Sequence, residues 1–273
     1  MVKAPERDPN RLAKSVTRLR LPDFVIAGAP RSATTWLWHL LNEHQDVYMA
    51  EPVVPEPKFF LVDELYQKGL EFYSETWFAA APPGKLIGEK TTNYLESPIA
   101  AARIHEHIPE VKLVFIFRNP VDRAYSNYLW TRLNGLETET FDRALELEEE
   151  RTRELPEQLK YARPYSYIAR GFYSRMLQPY FDLFPPHQIL CLRTEDIYGP
   201  ERREHLITKL HSFLGVTPCP EHGAALSIIN ASIEPEGEPM SPATRAFLEE
   251  QYRESNCRLL EFLGGNFDGW PGQ

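Results

Sequence analysis

The chain has 273 residues, of which 42% are hydrophobic and 25% charged, and this balance is typical of a globular domain with a sizeable apolar core. Its 30 basic and 39 acidic residues give a formal net charge of −9, which excludes a general nucleic-acid binder and requires a strongly local basic cleft for any other polyanion. No apolar run approaches the roughly 20 residues that cross a bilayer, and the N-terminus lacks the apolar stretch of a secretory signal, so neither a membrane span nor secretion is expected.

The cysteine content points to a reducing compartment. Three cysteines cannot all pair within one chain, and Cys191 lies in an apolar run with the pattern of a strand. We therefore expect no disulfide framework and a cytoplasmic protein. The sequence specifies no oligomeric state.

Strand-like and helix-like segments alternate along most of the chain. Residues 1–22 carry many charges without a sustained apolar period and are predicted to form a flexible N-terminal arm, followed by one domain at 23–273. The predicted strands are 24–29, 85–88, 112–117 and 188–193; the predicted helices are 33–43, 68–79, 98–107, 120–132, 167–183, 200–214 and 242–263. The alternation predicts an α/β fold with a central parallel sheet flanked by helices. The acidic stretch 146–154 is interpreted as the solvated face of a helix.

The segment after the first predicted strand has the features of an anion-binding loop. It reads Gly28-Ala29-Pro30-Arg31-Ser32-Ala33-Thr34-Thr35-Trp36, and an amphipathic helix follows at once. Such a turn directs backbone N–H groups and the positive end of a helix dipole at one point, as a bound phosphate or sulfate requires. The hydroxyl groups of Thr34 and Thr35 and the charge of Arg31 add side-chain donors.

This loop resembles the loop of nucleotide triphosphatases only in part. Gly28 and Thr35 have the spacing of the first glycine and the last hydroxyl of G-x-x-x-x-G-K-[ST], but Thr34 replaces the lysine that reaches the terminal phosphates. A P-loop nucleotide kinase or other phosphotransferase, a non-catalytic anion-binding module and an ordinary strand-to-helix turn are the alternatives.

A second candidate anion site follows the strand predicted at 112–117. Arg118 lies at the end of this strand, and Pro120 begins a helix that places Ser126 about two turns further along. Ligands of open parallel sheets bind outside the carboxyl ends of the strands, so Arg118 is placed to bind a second phosphate. Arg123 is interpreted as a structural or surface-pairing residue.

Together, the two segments resemble the sulfotransferases that use 3′-phosphoadenosine 5′-phosphosulfate (PAPS). Residues 30–37 look like the family's P-K-S-G-T-T-x-L loop, with Arg31 for lysine and Ala33 for glycine, and residues 118–128 match its R-x-P-x-x-R-x-x-S-x-[WY] motif in full. The resemblance implies PAPS as donor, adenosine 3′,5′-bisphosphate as product, and no metal. The donor-binding residues it implies are Arg31, Ser32, Ala33, Thr34, Thr35, Trp36, Arg118, Ser126 and Tyr173, with core packing the alternative for Trp36.

The acceptor side resembles the carbohydrate-type branch of that family more than the phenol-type branch. Residues 56–60 read E-P-K-F-F and residues 89–94 read E-K-T-T-N-Y, which match two segments of that branch. Phenol-type enzymes have a histidine base where this chain has Thr92, so the resemblance leaves Glu56 as the general base. Lys58, Lys90 and Arg31 are then expected to neutralise charge on the sulfuryl oxygens and the departing phosphate.

One element of the carbohydrate-type branch is missing. A late Lys-Gly-Arg loop is replaced at 230–242 by a stretch without basic residues that contains Glu234, Glu236 and Glu238. With the net charge of −9, this favours a neutral or weakly charged acceptor, such as an uncharged glycan, a lipid or a natural product, over a heparin-like polymer. The chemistry of the attacked atom, a hydroxyl oxygen or an amine nitrogen, stays open.

Overall fold

A computed structural model of the chain describes residues 19–157, 160–219, 239–264 and 267–270. In these ranges five strands form one parallel sheet in the order β2-β3-β1-β4-β5. The strands are β1 (Phe24–Gly28), β2 (Val47–Met49), β3 (Leu86–Lys90), β4 (Lys112–Phe117) and β5 (Ile189–Arg193). The predicted fold class, a single α/β domain with a central parallel sheet, is confirmed.

Helices cover both faces of this sheet. They are α1 (Thr34–Asn42), α2 (Asp63–Tyr66), α3 (Gly69–Trp77), α4 (Pro98–His107), α5 (Pro120–Leu133), α6 (Phe141–Glu146), α7 (Glu148–Arg153), α8 (Tyr173–Leu183), α9 (Pro200–Leu214) and α10 (Pro242–Leu263). Short 3-10 helices follow β3 at Thr92–Glu96 and β5 at Thr194–Ile197. No helix in the described ranges is long and apolar enough to span a bilayer.

Alternation along the central strand β1 divides the core into two layers. All five of its residues are buried, because parallel strands covered on both faces carry apolar side chains on both. Phe24 and Ile26 pack with apolar side chains of α1 and α9, whereas Val25 and Ala27 belong to the cluster that includes α3, α4, α8 and α10. A third cluster joins α5, α6 and α10 beside the sheet.

The structure differs from the sequence-based prediction in several elements. β2 was not predicted, because its three residues are too few to show an alternation. The helix predicted from residue 167 begins at Tyr173, after a 3-10 turn at Ala169–Gly171. In the predicted acidic helix, Glu148 is 7% exposed and accepts hydrogen bonds from the backbone N–H groups of residues 167–169, so this residue does not belong to a solvated face.

The ends of the predicted domain lie partly outside the described residues. Residues 1–18 of the predicted arm are not described, whereas the Arg20 amide donates to Ser74 Oγ at 2.9 Å and Leu21 packs against the core. The stretch 220–238, with its three glutamates, and Gly265 also lie outside the described residues. α10 ends at Leu263 as predicted, and Gly264 follows with a φ of 56°.

Candidate active site

The loop between β1 and α1 adopts a left-handed backbone at two non-glycine residues. Arg31 has a φ of 66° and Ala33 a φ of 61°, a conformation that glycine adopts without steric cost. At Ala33 the loop therefore has a positive φ at the position where the P-K-S-G-T-T-x-L motif has glycine. Ala33 is also the N-cap of α1, and no side chain caps this helix end. The turn leaves the N-terminal backbone of α1 directed at the loop, as an anion site requires.

Side chains of this loop divide into buried and accessible groups. Ser32 and Thr34 are buried, at 0% and 5% exposure, and Thr194 Oγ1 fixes the loop by donating to the Ser32 carbonyl at 3.1 Å. Arg31 and Thr35 are partly exposed. The Trp36 ring is 0% exposed within the apolar cluster of α1 and α9, so this burial supports core packing for its side chain and not an adenine contact.

Arg31 joins the two predicted anion sites. Its Nη2 atom donates to Ser126 Oγ on α5 at 3.4 Å. Burial and the positive charges of Arg118 and Arg123 lower the pKa of Arg31 to about 10. An anion bound beside Arg31 would offset the burial of this guanidinium and the repulsion from its two arginine neighbours.

The end of β4 is held by side chains from neighbouring elements. Asn119 Oδ1 accepts a hydrogen bond from the backbone N–H of Val121 at 2.9 Å and caps α5. The backbone N–H of Asn119 donates to Glu195 Oε1 at 2.8 Å. Tyr173 is fully buried, and its hydroxyl donates to the Arg118 carbonyl at 2.9 Å. Tyr173, predicted to lie near the nucleotide, thus fixes the backbone of Arg118.

Arg123 is a structural residue and not a surface-pairing one. Its side chain is 0% exposed, and Nη2 donates to the Tyr167 carbonyl. This bond attaches α5 to the segment that leads into α8, next to the third apolar cluster. The surface alternative for Arg123 is therefore wrong.

Glu56 is held by Lys90, the last residue of β3, and by Thr92, two residues further along the chain. Lys90 Nζ donates to Glu56 Oε1 at 2.7 Å, and both side chains are largely buried, at 4% and 11% exposure. The Thr92 amide donates to Oε2 at 3.2 Å, and the Thr92 hydroxyl lies 3.2 and 3.3 Å from the two carboxylate oxygens. The structure thus brings Glu56 and Lys90 together, 34 residues apart in sequence.

Because Gly28 has no side chain, the segment after β3 that holds Glu56 can pack close to the anion loop. A Cβ atom at position 28 would lie 2.7 Å from Leu95 Cβ and 3.2 Å from the Thr92 carbonyl oxygen. The 3-10 helix after β3 therefore packs directly against the end of β1. In the sheet, Ile26 is also paired with Lys90 on one side and with Val114 on the other. The anion loop, Lys90 and Arg118 therefore lie at the carboxyl ends of three adjacent strands, β1, β3 and β4, at the same edge of the sheet.

Lys58 lies in the β2–α2 loop, residues 50–62, which also carries Glu56. Its amide donates to Thr91 Oγ1 at 3.1 Å, and its Nζ atom lies 4.7 Å from the centroid of the Tyr161 ring. Tyr161 is 40% exposed and comes from the segment between α7 and α8. Sequence reasoning missed this ring, because only the tertiary fold brings it beside Lys58.

Glu89 was part of a recognised motif but received no role. Its side chain is fully buried on β3, and the Tyr73 hydroxyl donates to Oε2. Burial raises the pKa of Glu89 to about 7, hydrogen bonds from Tyr73, Tyr94 and Thr91 lower it, and the charge of Glu56 raises it. The signal available in the sequence was a carboxyl residue directly after the strand predicted at 85–88.

The chemistry of the site fits a nucleotide with two separated anionic groups. Arg31 and the N-terminus of α1 are suited to one group, and Arg118 with Ser126 to the other. The observation that supports this fit is the pKa of Arg31, which burial and then the positive charges of Arg118 and Arg123 lower to about 10. Among the described residues, no group of His, Cys, Asp or Glu side chains is arranged to hold a metal ion.

Comparison with known protein families identifies the chain. Residues 21–232 match the family described as the sulfotransferase domain. The chain belongs to this sulfotransferase family. The match covers the whole sheet, the anion loop and the Glu56–Lys90 pair, and it confirms the family and the enzyme class predicted from the two motifs.

Curated relatives of the sulfotransferase include heparan sulfate enzymes. It is 28% identical to human heparan sulfate glucosamine 3-O-sulfotransferase 6, over 95% of this chain and 76% of that protein. It is 26% identical to bifunctional heparan sulfate N-deacetylase/N-sulfotransferase 1 of Xenopus laevis, over 92% of this chain and 30% of that protein. The predicted similarity to the carbohydrate-type branch is confirmed by these relatives.

Solved sulfotransferases share the fold. A sulfotransferase from Alicyclobacillus acidocaldarius is 25% identical, with a TM-score of 0.70 over 89% of this chain and 96% of that one. Mouse sulfotransferase SULT7A1, solved in complex with PAP, is 16% identical, with a TM-score of 0.53 over 86% of this chain and 84% of that one. These likenesses establish the sheet and helix arrangement as that of a sulfotransferase.

Proposed function

We propose that this sulfotransferase moves the sulfuryl group of PAPS to a hydroxyl of a neutral or weakly charged acceptor, with Glu56 as the general base. The observation that carries the proposal is the Glu56 carboxylate. It is held by Lys90 and Thr92 at the sheet edge where the Arg31 loop and Arg118 also lie. This supports the proposal, because the proposed base, a cation for the transferred group and the two candidate anion sites then share one edge of the sheet.

The donor would be held by the residues of both anion sites. Arg31 and the N-terminus of α1 would bind the phosphosulfate, and Arg118 with Ser126 would bind the 3′-phosphate. When bound, PAPS supplies an activated sulfuryl group on its 5′-phosphate. Tyr173 supports this binding indirectly, through its bond to the Arg118 carbonyl.

Glu56 and the lysines would act on the reacting atoms. Glu56 accepts the proton of the acceptor hydroxyl as that oxygen bonds to sulfur and the sulfur–oxygen bond to the 5′-phosphate breaks. Lys90 and Lys58 neutralise charge on the sulfuryl oxygens, and Arg31 does so on the departing phosphate. Lys90, already 2.7 Å from Glu56, also keeps that carboxylate oriented.

The charges around Glu56 favour an acceptor without many anionic groups. Lys90 is paired with Glu56, and Arg170 forms a buried ion pair with Glu96 at 2.7 Å. Arg163 also lies 4.0 Å from Glu96. Lys90 and Arg170 are thus each paired with one of the protein's own carboxylates, and Arg163 shares Glu96 with Arg170, so this group of three cations carries a net charge of only about +1 and attracts a polyanion weakly. An uncharged glycan, lipid or natural product fits this site better than a heparin-like chain.

A transfer assay tests the proposed reaction. Purified protein is incubated with radiolabelled PAPS and a panel of neutral glycosides, lipid alcohols, phenols and amines, with desulfated heparan chains as the polyanion arm. We expect labelling of a neutral hydroxyl compound and a decrease of about 10²-fold to 10⁴-fold in turnover for Glu56→Gln. Binding of adenosine 3′,5′-bisphosphate should be nearly unchanged, since the base acts on the acceptor. Glu51→Gln, an exposed change in the same loop, is the matched control.

Each alternative has its own outcome. Near-normal turnover of Glu56→Gln would place the base elsewhere. Efficient, salt-sensitive labelling of the heparan chains would contradict the neutral acceptor. A larger thermal shift with ATP and magnesium than with adenosine 3′,5′-bisphosphate would favour a P-loop phosphotransferase. Nucleotide binding without transfer to any acceptor would favour a non-catalytic module.

A further inference from the structure

Glu89 lies directly beneath the loop that carries the proposed base. Its side chain points from β3 into the apolar cluster of α3, α4 and α8, with no exposed surface. The next residue along the strand is Lys90, which pairs with Glu56. Burying a carboxyl group in such surroundings costs free energy unless it is hydrogen-bonded to neighbouring groups.

Two tyrosines connect Glu89 to the β2–α2 loop. Tyr73 donates its hydroxyl to Glu89, and its ring stacks on Phe59 with centroids 4.3 Å apart. Tyr94, whose hydroxyl interacts with Glu89, accepts the Phe60 amide at 3.2 Å. The loop has no regular secondary structure around Glu56, so these contacts and the bond of the Lys58 amide to Thr91 hold it against the domain.

We propose that Glu89 is a positioning residue for sulfuryl transfer: by holding Tyr73 and Tyr94 it keeps the β2–α2 loop, with Glu56 and Lys58, in place. The proposal rests on the proposed function only for the roles of Glu56 and Lys58. Glu89 itself touches neither donor nor acceptor, and its action passes through the two tyrosines and the Phe59–Phe60 pair.

The carboxyl group makes this positioning sensitive to pH. The groups that face Glu89 are Tyr73 from α3, Tyr94 and Thr91 from the segment after β3, and Glu56 from the loop. Because burial raises the pKa of Glu89 to about 7, a proton is retained at pH values where an exposed glutamate has lost it. Opening of the loop to solvent would release that proton.

The sign of the pH effect follows from this difference. The closed loop binds the proton more tightly than the open one, so closure is favoured at low pH and weakens as pH rises towards 7. Between about pH 5 and pH 7 the equilibrium constant for opening of the loop should increase by up to about tenfold per pH unit, and above the pKa of Glu89 it should level off.

Hydrogen exchange of the Lys58 and Phe60 amides, read residue by residue from pH 5 to pH 9 and corrected for intrinsic rates, tests the proposal. In the wild-type protein we expect the pH-dependent opening just described. Glu89→Gln should remove the pH dependence at both amides. Tyr73→Phe keeps the ring stack but removes a bond that lowers the pKa of Glu89, so the levelling-off should move to higher pH.

Two further variants separate Glu89 from other causes. His107 stacks on Phe60 with centroids 6.3 Å apart, and histidines as a class titrate near neutral pH, so His107→Gln must keep the pH dependence. Tyr167→Phe removes a matched buried hydroxyl, the one that donates to Glu137, and should leave the loop unchanged. A pH dependence of loop opening that survives Glu89→Gln, or disappears in His107→Gln, overturns the proposal.

Turnover gives the functional readout. With an acceptor from the panel, Glu89→Gln should lower kcat without changing the dissociation constant of adenosine 3′,5′-bisphosphate, and the wild-type pH dependence of the loop should appear in kcat. An unchanged kcat across this pH range would also overturn the proposal. The exchange measurement needs neither donor nor acceptor, so it decides the positioning even when no transfer is found, which would be a failure of the proposed function alone.

Discussion

The Glu56–Lys90 pair should be strongly coupled in the free energy of unfolding. At 2.7 Å and an effective dielectric constant near 20, the attraction between the two charges is about 6 kcal/mol before the cost of desolvation is subtracted. Burial at 4% and 11% exposure makes that cost several kcal/mol. We therefore expect a net coupling energy of about 2 kcal/mol, well above the value of an exposed pair.

A double-mutant cycle measures this coupling. Lys90→Met leaves the carboxylate of Glu56 with only its bonds to Thr92, and Glu56→Gln leaves a buried ammonium, so each single variant should lose about 2 to 4 kcal/mol in urea unfolding. The double variant should lose less than the sum. As a matched control, the exposed Arg153–Glu149 pair on α7, at 2.9 Å, should show a coupling of about 0.5 kcal/mol or less. Equal couplings for the two pairs would refute the reasoning.

Three further predictions concern the anion sites and the fold. Arg118→Ala should weaken the binding of adenosine 3′,5′-bisphosphate by roughly 1.5 to 3 kcal/mol, measured by titration calorimetry, because a charge-assisted hydrogen bond is lost. Ala33→Gly should stay within about 1 kcal/mol of the wild-type stability, since relief of the left-handed backbone offsets the added flexibility, whereas Ala33→Val should be less stable in thermal unfolding. Burial alone would raise the pKa of Glu137, but bonds from the Glu139 amide, Tyr167 and Arg151 lower it below its ordinary value. The ionised Glu137 should therefore stabilise the fold fully above the unfolded-state pKa, and this stabilisation should disappear as pH falls through the folded-state pKa. Glu137→Gln should reduce the change in melting temperature over this pH range.

Much of the fold followed from local patterns in the sequence. The strands β1, β4 and β5 are continuous apolar runs, because both faces of the sheet are covered, and their lengths exclude long helices. Pro120 and Pro200 begin α5 and α9 where their fixed φ suits the first helical turn. The positions of these elements decide where the two candidate anion sites lie, so the candidate site could be located from the sequence.

The contacts that hold the site could not be predicted in the same way. The bonds of Glu56 to Lys90 and Thr92 join a loop to a strand 34 and 36 residues away, and no periodicity records such a pairing. The bond of the Tyr173 hydroxyl to the Arg118 carbonyl was not predicted, because a backbone acceptor leaves no mark in the side-chain pattern. Hydrogen-bond partners of buried polar groups depend on tertiary packing.

The proposed donor and acceptor halves of the site are built on different kinds of structure. The anion loop, Lys90 and Arg118 follow or end hydrogen-bonded strands, whereas Glu56 and Lys58 lie on an irregular segment that is held by individual hydrogen bonds, such as those of Glu56 to Lys90 and Thr92 and that of the Lys58 amide to Thr91. On the proposed function, insertions or exchanges in residues 50–62 would therefore change the acceptor that is sulfated, while the strand ends would continue to bind the same nucleotide. With these roles, the architecture would let acceptor specificity diversify independently of donor binding.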